Sequence, residues 1–380
     1  MQFGWLTLAL SPSPDEDAIR IDQQIEQVCA AESLGFNDVW LTEHYFTGES
    51  VYNDALLFAS ALTMRTTRIR IGFAVLQMPF HHPVRLAVQL ALLDNLSKGR
   101  IDVGIGKGTV YNEYEFVGHG MRSDDSRERM TEAIEVLERA WHETPLVYEG
   151  KYFRLRVPEL RPRPVQQPGP PIWRSVISPT SFRECGRLGI PILTARLPIE
   201  RIKERWILYE AGIAEGGHDE PTRERLLAQA ALWRNVYVAD SDAQAEDELS
   251  TLLLRTRAHM MHVRGEYNPS DFHIDPVMLT PWTDPAVGDA EALAFVLATG
   301  SVFGSPARVR EQVAALRDSG VRHLLCQTGF GDMSHEQNLL SMRRFGGQVM
   351  PSFRTGAQET NRNLMSSQYA ASSSSRASSI

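Results

Sequence analysis

The run PFHHPVRLAVQLALLDNLSKGRIDVGIGKG, residues 79–108, decides the fold. It reads as a loop, a helix over 83–96, a tight turn at Lys98 and Gly99, and a short buried strand over 101–105. The strand runs into a glycine-rich elbow, Gly104-Ile105-Gly106-Lys107-Gly108. Helix, short turn, strand and a loop at the strand's carboxyl end make one unit of a parallel α/β protein. The helix is apolar almost all round (Val84, Leu86, Val88, Leu90, Leu92, Leu93, Leu96). Such a helix is expected to be covered on two sides, by a sheet and by a second subunit.

Outward from this unit the same alternation repeats. Upstream, a strand over 3–10 leads through a Ser-Pro-Ser-Pro loop to an amphipathic helix over 15–34, stopped by Gly35. A strand over 38–42 runs out into Glu43-His44-Tyr45-Phe46, Asn53 or Asp54 caps a helix to about 66, and a β-branched strand follows over 69–76. Downstream, a polar and aromatic loop spans 110–122, and Asp125 with Glu128 reads as a capping box for a helix bearing Met130, Ile134, Leu137 and Trp141 on one face. The proline-rich stretch 144–171 reads as an insertion with a β-hairpin. Strands are predicted over 171–177, 191–195, 232–238 and 321–327, helices from 178 to 188, 199 to 215, 242 to 263 and 305 to a stop at Gly320, and a terminal helix after the last strand to about 349. Residues 265–289 carry no periodicity and are expected to be a lid or disordered. Eight such units without a composition break predict one (β/α)8 TIM barrel with insertions over 1–353. A serine-rich tail over 354–380 is expected to be disordered.

The chain's 380 residues suit one such barrel, and 43% hydrophobic with 23% charged residues is ordinary for a globular enzyme. A net charge of −8 argues against nucleic acid and anionic membrane surfaces as partners. The three cysteines, Cys29, Cys185 and Cys326, are widely spaced in apolar segments, which fits inert core positions better than disulfides or a thiolate metal site. No signal-peptide pattern opens the sequence and no apolar run reaches membrane-spanning length, so a cytoplasmic protein is expected.

Functional residues of a barrel sit where strands end. The elbow Gly104–Gly108 offers backbone N–H groups to an anion, with the point charge of Lys107, or is a plain tight turn. Ser178-Pro179-Thr180-Ser181 opens a helix with hydroxyls and free amides, as a phosphate cradle or as an ordinary N-cap. His44 is placed to act as acid or base near neutral pH, or to serve a structural role at the rim. His81, His82, His259, His262 and His273 lack companions at ligand spacing and read as solvated positions, so no metal site is expected.

Glu43-His44-Tyr45-Phe46, residues 79–108, residues 178–189 and Val302-Phe303-Gly304-Ser305-Pro306-Ala307-Arg308 together resemble the bacterial luciferase-like, flavin-dependent monooxygenases. The likeness covers roughly residues 1–353 and is most specific in L-L-D-x-x-S-K-G-R, residues 92–100. The resemblance implies a TIM barrel that takes reduced FMN from a separate flavin reductase and reacts it with O2. A C4a-peroxyflavin then oxygenates a small organic or polyketide-like substrate by hydroxylation, epoxidation or Baeyer–Villiger insertion. A tailoring step in secondary metabolism is one setting for it, which no residue specifies. Carried over, His44 is the catalytic histidine, Ala74-Val75 a cis peptide under the flavin ring, and residues 261–289 the mobile lid. Gly106, Lys107, Ser178, Thr180 and Ser181 fall where the family holds FMN, the last four around its phosphate.

Gly106 stands in place of the luciferase α chain's reactive cysteine, Tyr45 in place of a second histidine, Ile177 in place of a carboxylate and Arg196 in place of an aromatic residue. These departures argue against light emission from a long-chain aldehyde. Glu43, Tyr45 and Arg196 are the residues expected to face the substrate, and a homodimer through helices near 54–66 and 83–96 is expected. The alternatives are a deazaflavin-dependent dehydrogenase or reductase on the same fold, and a non-catalytic flavin-binding protein.

Overall fold

Strands rich in apolar and β-branched residues alternate with helices, several of them opened by Asp or Ser side-chain caps (Asp54, Ser178, Asp219, Ser241, Ser305, Ser334) and two closed by left-handed glycines, Gly35 and Gly189. The computed structural model describes residues 1–354. The chain runs β1 (Gln2–Thr7), α1 (Asp17–Leu34), β2 (Asp38–Leu41), α2 (Ala55–Arg65), β3 (Arg70–Gln77), α3 (Pro83–Ser97) and β4 (Ile101–Gly106). It continues with α4 (Glu113–Gly118), α5 (Ser126–His142), β5 (Leu146–Glu149), β6 (Arg154–Val157), β7 (Ile172–Ser175), α6 (Pro179–Leu188) and β8 (Ile192–Ala195). The last third holds α7 (Ile199–Glu215), α8 (Glu220–Ala228), β9 (Ala230–Val238), α9 (Asp242–Tyr267), α10 (Asp289–Gly300), β10 (Ser301–Gly304), α11 (Pro306–Asp318), β11 (His323–Gln327) and α12 (His335–Arg344).

The pairing β1-β2-β3-β4-β7-β8-β9-β11 returns to β1, so eight parallel strands close into a TIM barrel. β5 and β6 form the antiparallel hairpin predicted within the insertion. Several features differ from the sequence reading. α4 lies inside the stretch read as a loop, and α8, α10 and β10 were not predicted. β10 pairs the carboxyl half of the long β9, Ser301 to Gly304 opposite Asn235 to Val238. The capping box at Asp125 does not form; Glu128 instead accepts a hydrogen bond from Lys151 Nζ of the hairpin at 2.7 Å. The tail from residue 355 lies outside the described residues.

The barrel interior is plugged by tryptophans. Trp40 and Trp173 pack edge to face with centroids 4.9 Å apart, among Leu6, Leu193, Ala231 and Leu325. A Cβ at Gly72 would lie 2.5 Å from the Trp40 ring, so glycine at that position makes room for the plug. The indole N–H groups are satisfied below, Trp40 by Asp38 Oδ1 at 2.5 Å and Trp173 by Asp102 Oδ1 at 3.3 Å. Ala74, Val75 and Trp233 form the upper edge of this plug, half-buried at the carboxyl end of the barrel. The floor of the site is therefore a rigid apolar layer. Among the described residues no helix is long and apolar enough to cross a membrane.

Candidate active site

The segment after β2 is tied to the barrel by Thr42 Oγ1, which donates to the Thr7 carbonyl at 3.0 Å. The next residue, Glu43, is 2% exposed. A carboxylate that deep must be partnered, and three groups meet it. Its Oε1 accepts from Tyr45 Oη at 2.7 Å and lies 2.9 Å from His81 Nε2, and its Oε2 accepts from the Gln77 backbone N–H at 2.5 Å. The Gln77 side chain closes the network, donating from Nε2 to the Glu43 carbonyl at 2.7 Å and to Glu115 Oε2 at 3.0 Å. Glu115, fully buried on α4, accepts from the Tyr45 backbone N–H at 3.1 Å and lies 3.1 Å from His44 Nδ1.

This arrangement fixes the His44 ring. Nδ1 is held by Glu115, and Nε2 faces Glu49 Oε1 at 3.8 Å, with 21% of the side chain still exposed. Burial disfavours a charged imidazole, but the Glu49 and Glu115 carboxylates outweigh it and push the His44 pKa up to about 9. Burial alone would raise Glu115; the His44 charge and the Gln77 and Tyr45 bonds hold it below the usual carboxylate range. His44 is thus an imidazolium at neutral pH, with Nε2 as its free proton-bearing atom. Aromatic rings screen the network from above, Tyr45 packing on His119 and Phe80 with centroids 4.5 and 5.5 Å apart.

The second cluster lies one strand pair further round. β4 and β7 are neighbours, with Ile105 opposite Arg174, so the Gly106-Lys107 elbow and the Ser178 turn open on adjacent strand ends. Ser178 caps α6, accepting from the Ser181 backbone N–H at 3.3 Å, and its hydroxyl lies 2.7 Å from Ser181 Oγ and 3.1 Å from Thr180 Oγ1. These hydroxyls are exposed or half-buried, and the Lys107 ammonium has no hydrogen-bond or ion-pair partner among the described residues. Hydroxyls at a helix N-terminus with an unpaired cation at the neighbouring strand end fit a phosphate group. The Ala74–Val75 peptide is cis, as expected from the resemblance. A Cβ on Gly106 would come 2.5 Å from Val75 Cγ2, so glycine there lets Val75 lie close against β4 as a ledge. Ledge and cradle together suit a planar ring with a phosphate tail.

Across the mouth, Arg196 follows β8 and lays its guanidinium 4.4 Å from the Trp233 ring centroid, while Arg264 of α9 lies 4.9 Å from that of Tyr111. The segment between α9 and α10 is ordered rather than structureless. Asn268 bonds the Tyr114 backbone N–H and the Tyr111 carbonyl at 3.1 and 2.9 Å, and Tyr111 Oη donates to the Met278 carbonyl at 2.6 Å. Trp282 is buried beneath Arg257, which binds the carbonyls of Trp282, Asp284 and Val287.

The structure gathers His44, Glu43 and Tyr45 into one network, places Ala74, Val75 and Gly106 as a ledge, and sets Lys107 beside the Ser178, Thr180 and Ser181 strand end. Glu43 and Tyr45 Oη are turned to each other within the rim. His81, read as solvated, is instead bound to Glu43. Sequence reading missed Glu115, Gln77, Glu49 and Arg264. The elements near them carried no local signal of function; an acidic residue in the loop after the elbow was the one available hint. No group of His, Cys, Asp and Glu able to hold a metal ion occurs among the described residues.

The fold and this rim define a TIM barrel with a polar cleft at the carboxyl end of its strands, where barrel enzymes carry their sites. Residues 1–323 match the luciferase-like monooxygenase family, and the chain belongs to it. The oxygenase component of a flavin-dependent trigonelline monooxygenase from Acinetobacter baylyi is 24% identical over 337 residues, 87% of this chain and 89% of that one. An F420-dependent glucose-6-phosphate dehydrogenase from Microbacterium testaceum is 25% identical over 85% of this chain and 91% of that one. The solved monooxygenase RslO1 from Streptomyces bottropensis superposes with a TM-score of 0.76 at 25% identity, covering 93% of this chain and all of that one.

Proposed function

We propose that the protein is the oxygenase component of a two-component flavin monooxygenase that takes reduced FMN from a separate flavin reductase. The observation that supports it most is the His44–Glu115 pair (3.1 Å) at the same barrel end as the Ala74–Val75 ledge and the Lys107/Ser178 cradle. Reduced FMN would supply the two electrons that let one atom of O2 enter the substrate while the other leaves as water. Lys107, Ser178, Thr180 and Ser181 would bind its phosphate, and Ala74 and Val75 would support its ring.

The chain's own contribution is proton handling and water exclusion. Glu115 accepts from His44 Nδ1–H, and the Glu49 and Glu115 charges favour the imidazolium in which Nε2 also bears a proton, so His44 would stabilise negative charge developing on a reacting oxygen and could return a proton to it. The 268–288 strap and the Tyr45–His119–Phe80 rings limit water access. Exposed Leu57 and Met64 on α2 (71 and 76%), beside Leu92 and Leu96 on α3, form an apolar face that a homodimer would cover. The F420-dependent relative supports a second reading, an oxygen-independent deazaflavin enzyme.

One experiment separates them. Protein saturated anaerobically with reduced FMN is mixed with 18O2 and a panel of small organic and polyketide-like substrates. One 18O atom per product molecule is expected. Tighter binding of reduced F420 than of reduced FMN, with hydride transfer that needs no oxygen, overturns the monooxygenase reading.

A further inference from the structure

Two arginines of one helix, α9, differ in how their donors are met. Arg257 on α9 is 6% exposed and spends its guanidinium on three carbonyls and on Asp289 Oδ1 at 2.6 Å. Arg264, seven residues further along the same helix, does not. Its Nε donates to Asn112 Oδ1 at 3.0 Å, but its Nη1 is buried without a partner. Arg196 is poorer still, since its Nε is buried and unpartnered and no hydrogen bond from its guanidinium is present among the described residues. Neither arginine forms an ion pair there.

Arg196 is nonetheless held firmly in place. Its backbone is left-handed (φ 50°), unusual for a side chain with a Cβ. The next carbonyl, Leu197, accepts from Arg234, which is buried on β9 and also donates to the Trp233 carbonyl at 3.3 Å. Trp233 and Tyr111 hold the two guanidiniums by cation–π contact, and each guanidinium keeps a buried N–H without a partner. Burial and the nearby Arg264 charge bring Arg196 down to about 10, so the two cations sense each other. Glu49 is the carboxylate within electrostatic reach of both, yet its closest cation is His44, at 3.8 Å. A pair of desolvated, like-charged forks with orphaned N–H groups is completed by an anion that bridges them.

We propose that Arg196 and Arg264 form a clamp for an organic carboxylate, and that the substrate of this site carries one. The proposal rests on the functional reading above and deepens it: the carboxylate is fixed on the arginine side, and the oxidisable carbon is directed toward the His44 side.

The test uses benzoate and its neutral isostere benzamide as probes, titrated by calorimetry into FMN-saturated protein, so that the phosphate cradle is filled. Benzoate is expected to bind at least about 10-fold more tightly than benzamide, as charge-assisted hydrogen bonds imply. Arg196→Ala and Arg264→Ala should each erase that preference and leave FMN affinity, read by flavin fluorescence, unchanged. Arg196→Lys should keep only part of it. Equal binding of benzoate and benzamide to the wild-type protein overturns the clamp without any variant. Arginine variants that weaken FMN binding and spare the benzoate preference also overturn it, assigning the arginines to the cofactor. A wild-type protein that binds no FMN yet prefers benzoate supports the clamp while sinking the flavin reading.

Discussion

The two sides of the barrel mouth solve opposite problems. On the β2–β3 side, two carboxylates, two histidines, Tyr45 and Gln77 cross-link, with Glu43 and Glu115 each bound by several donors and Gln77 Oε1 the buried atom left without a partner. On the β8–α9 side, two guanidiniums stand with buried N–H groups unmet. A satisfied network is preorganised and needs nothing from a ligand; an unsatisfied one is finished by the ligand. On the proposed reading, the first wall handles protons and the second recognises substrate, with Glu49 within electrostatic reach of both.

The most severe way to break this contrast is to remove the centre of the satisfied wall. His44→Ala is expected to cut coupled oxygenation by about 10²–10⁴-fold, with oxygen uptake diverted to hydrogen peroxide, measured as product against peroxide per flavin oxidised. Retained coupling would return His44 to a structural role.

Lys107→Ala and Ser178→Ala come next, each expected to weaken FMN about 10-fold through a lost charge-assisted contact. Fluorescence titration checks this, and riboflavin, which lacks the phosphate, should bind the variants and wild type alike.

Glu115→Gln tests how the wall sets the His44 charge. The NMR titration midpoint of His44 should fall from about 9, because one of the carboxylates raising it is gone. The stability consequence has a definite sign. His44 has a folded pKa above its ordinary 6.5, so its contribution is complete below 6.5 and is lost as pH rises from there through about 9. Thermal melts should therefore lose stability across that window in wild type, and less so in Glu115→Gln.

The smallest expected effect sharpens the boundary. Glu49→Gln removes the carboxylate shared by both walls, so the His44 midpoint should drop and benzoate should bind a few-fold more tightly. Opposite movement of either quantity would show that Glu49 belongs to one wall alone.

Several of these residues were legible before any coordinates. The 83–97 helix, the elbow and the Ser178 cap carry local signals, a full apolar surface, glycines and a Ser-Pro start, which short-range physics turns directly into structure. The place of His44 beyond a buried strand was legible for the same reason, while its catalytic role came only from the family resemblance. Glu115 was not, because it sits on the short α4 within a stretch that reads as a loop, and its role depends on residues 38 and 71 positions away. Gln77 and His81 look like ordinary polar residues until Glu43 folds against them.

By itself, then, the sequence determined the eight-unit alternation, the single barrel and the strand ends where chemistry gathers, because periodicity and turn chemistry act over a few residues. Only the tertiary structure decided which polar side chains are satisfied and which are left wanting. That distinction depends on burial and on partners brought together from distant units. Arg257 and Arg264 lie seven residues apart on one helix and look alike in the sequence; three carbonyls and Asp289 meet the first, and the second keeps a buried donor free.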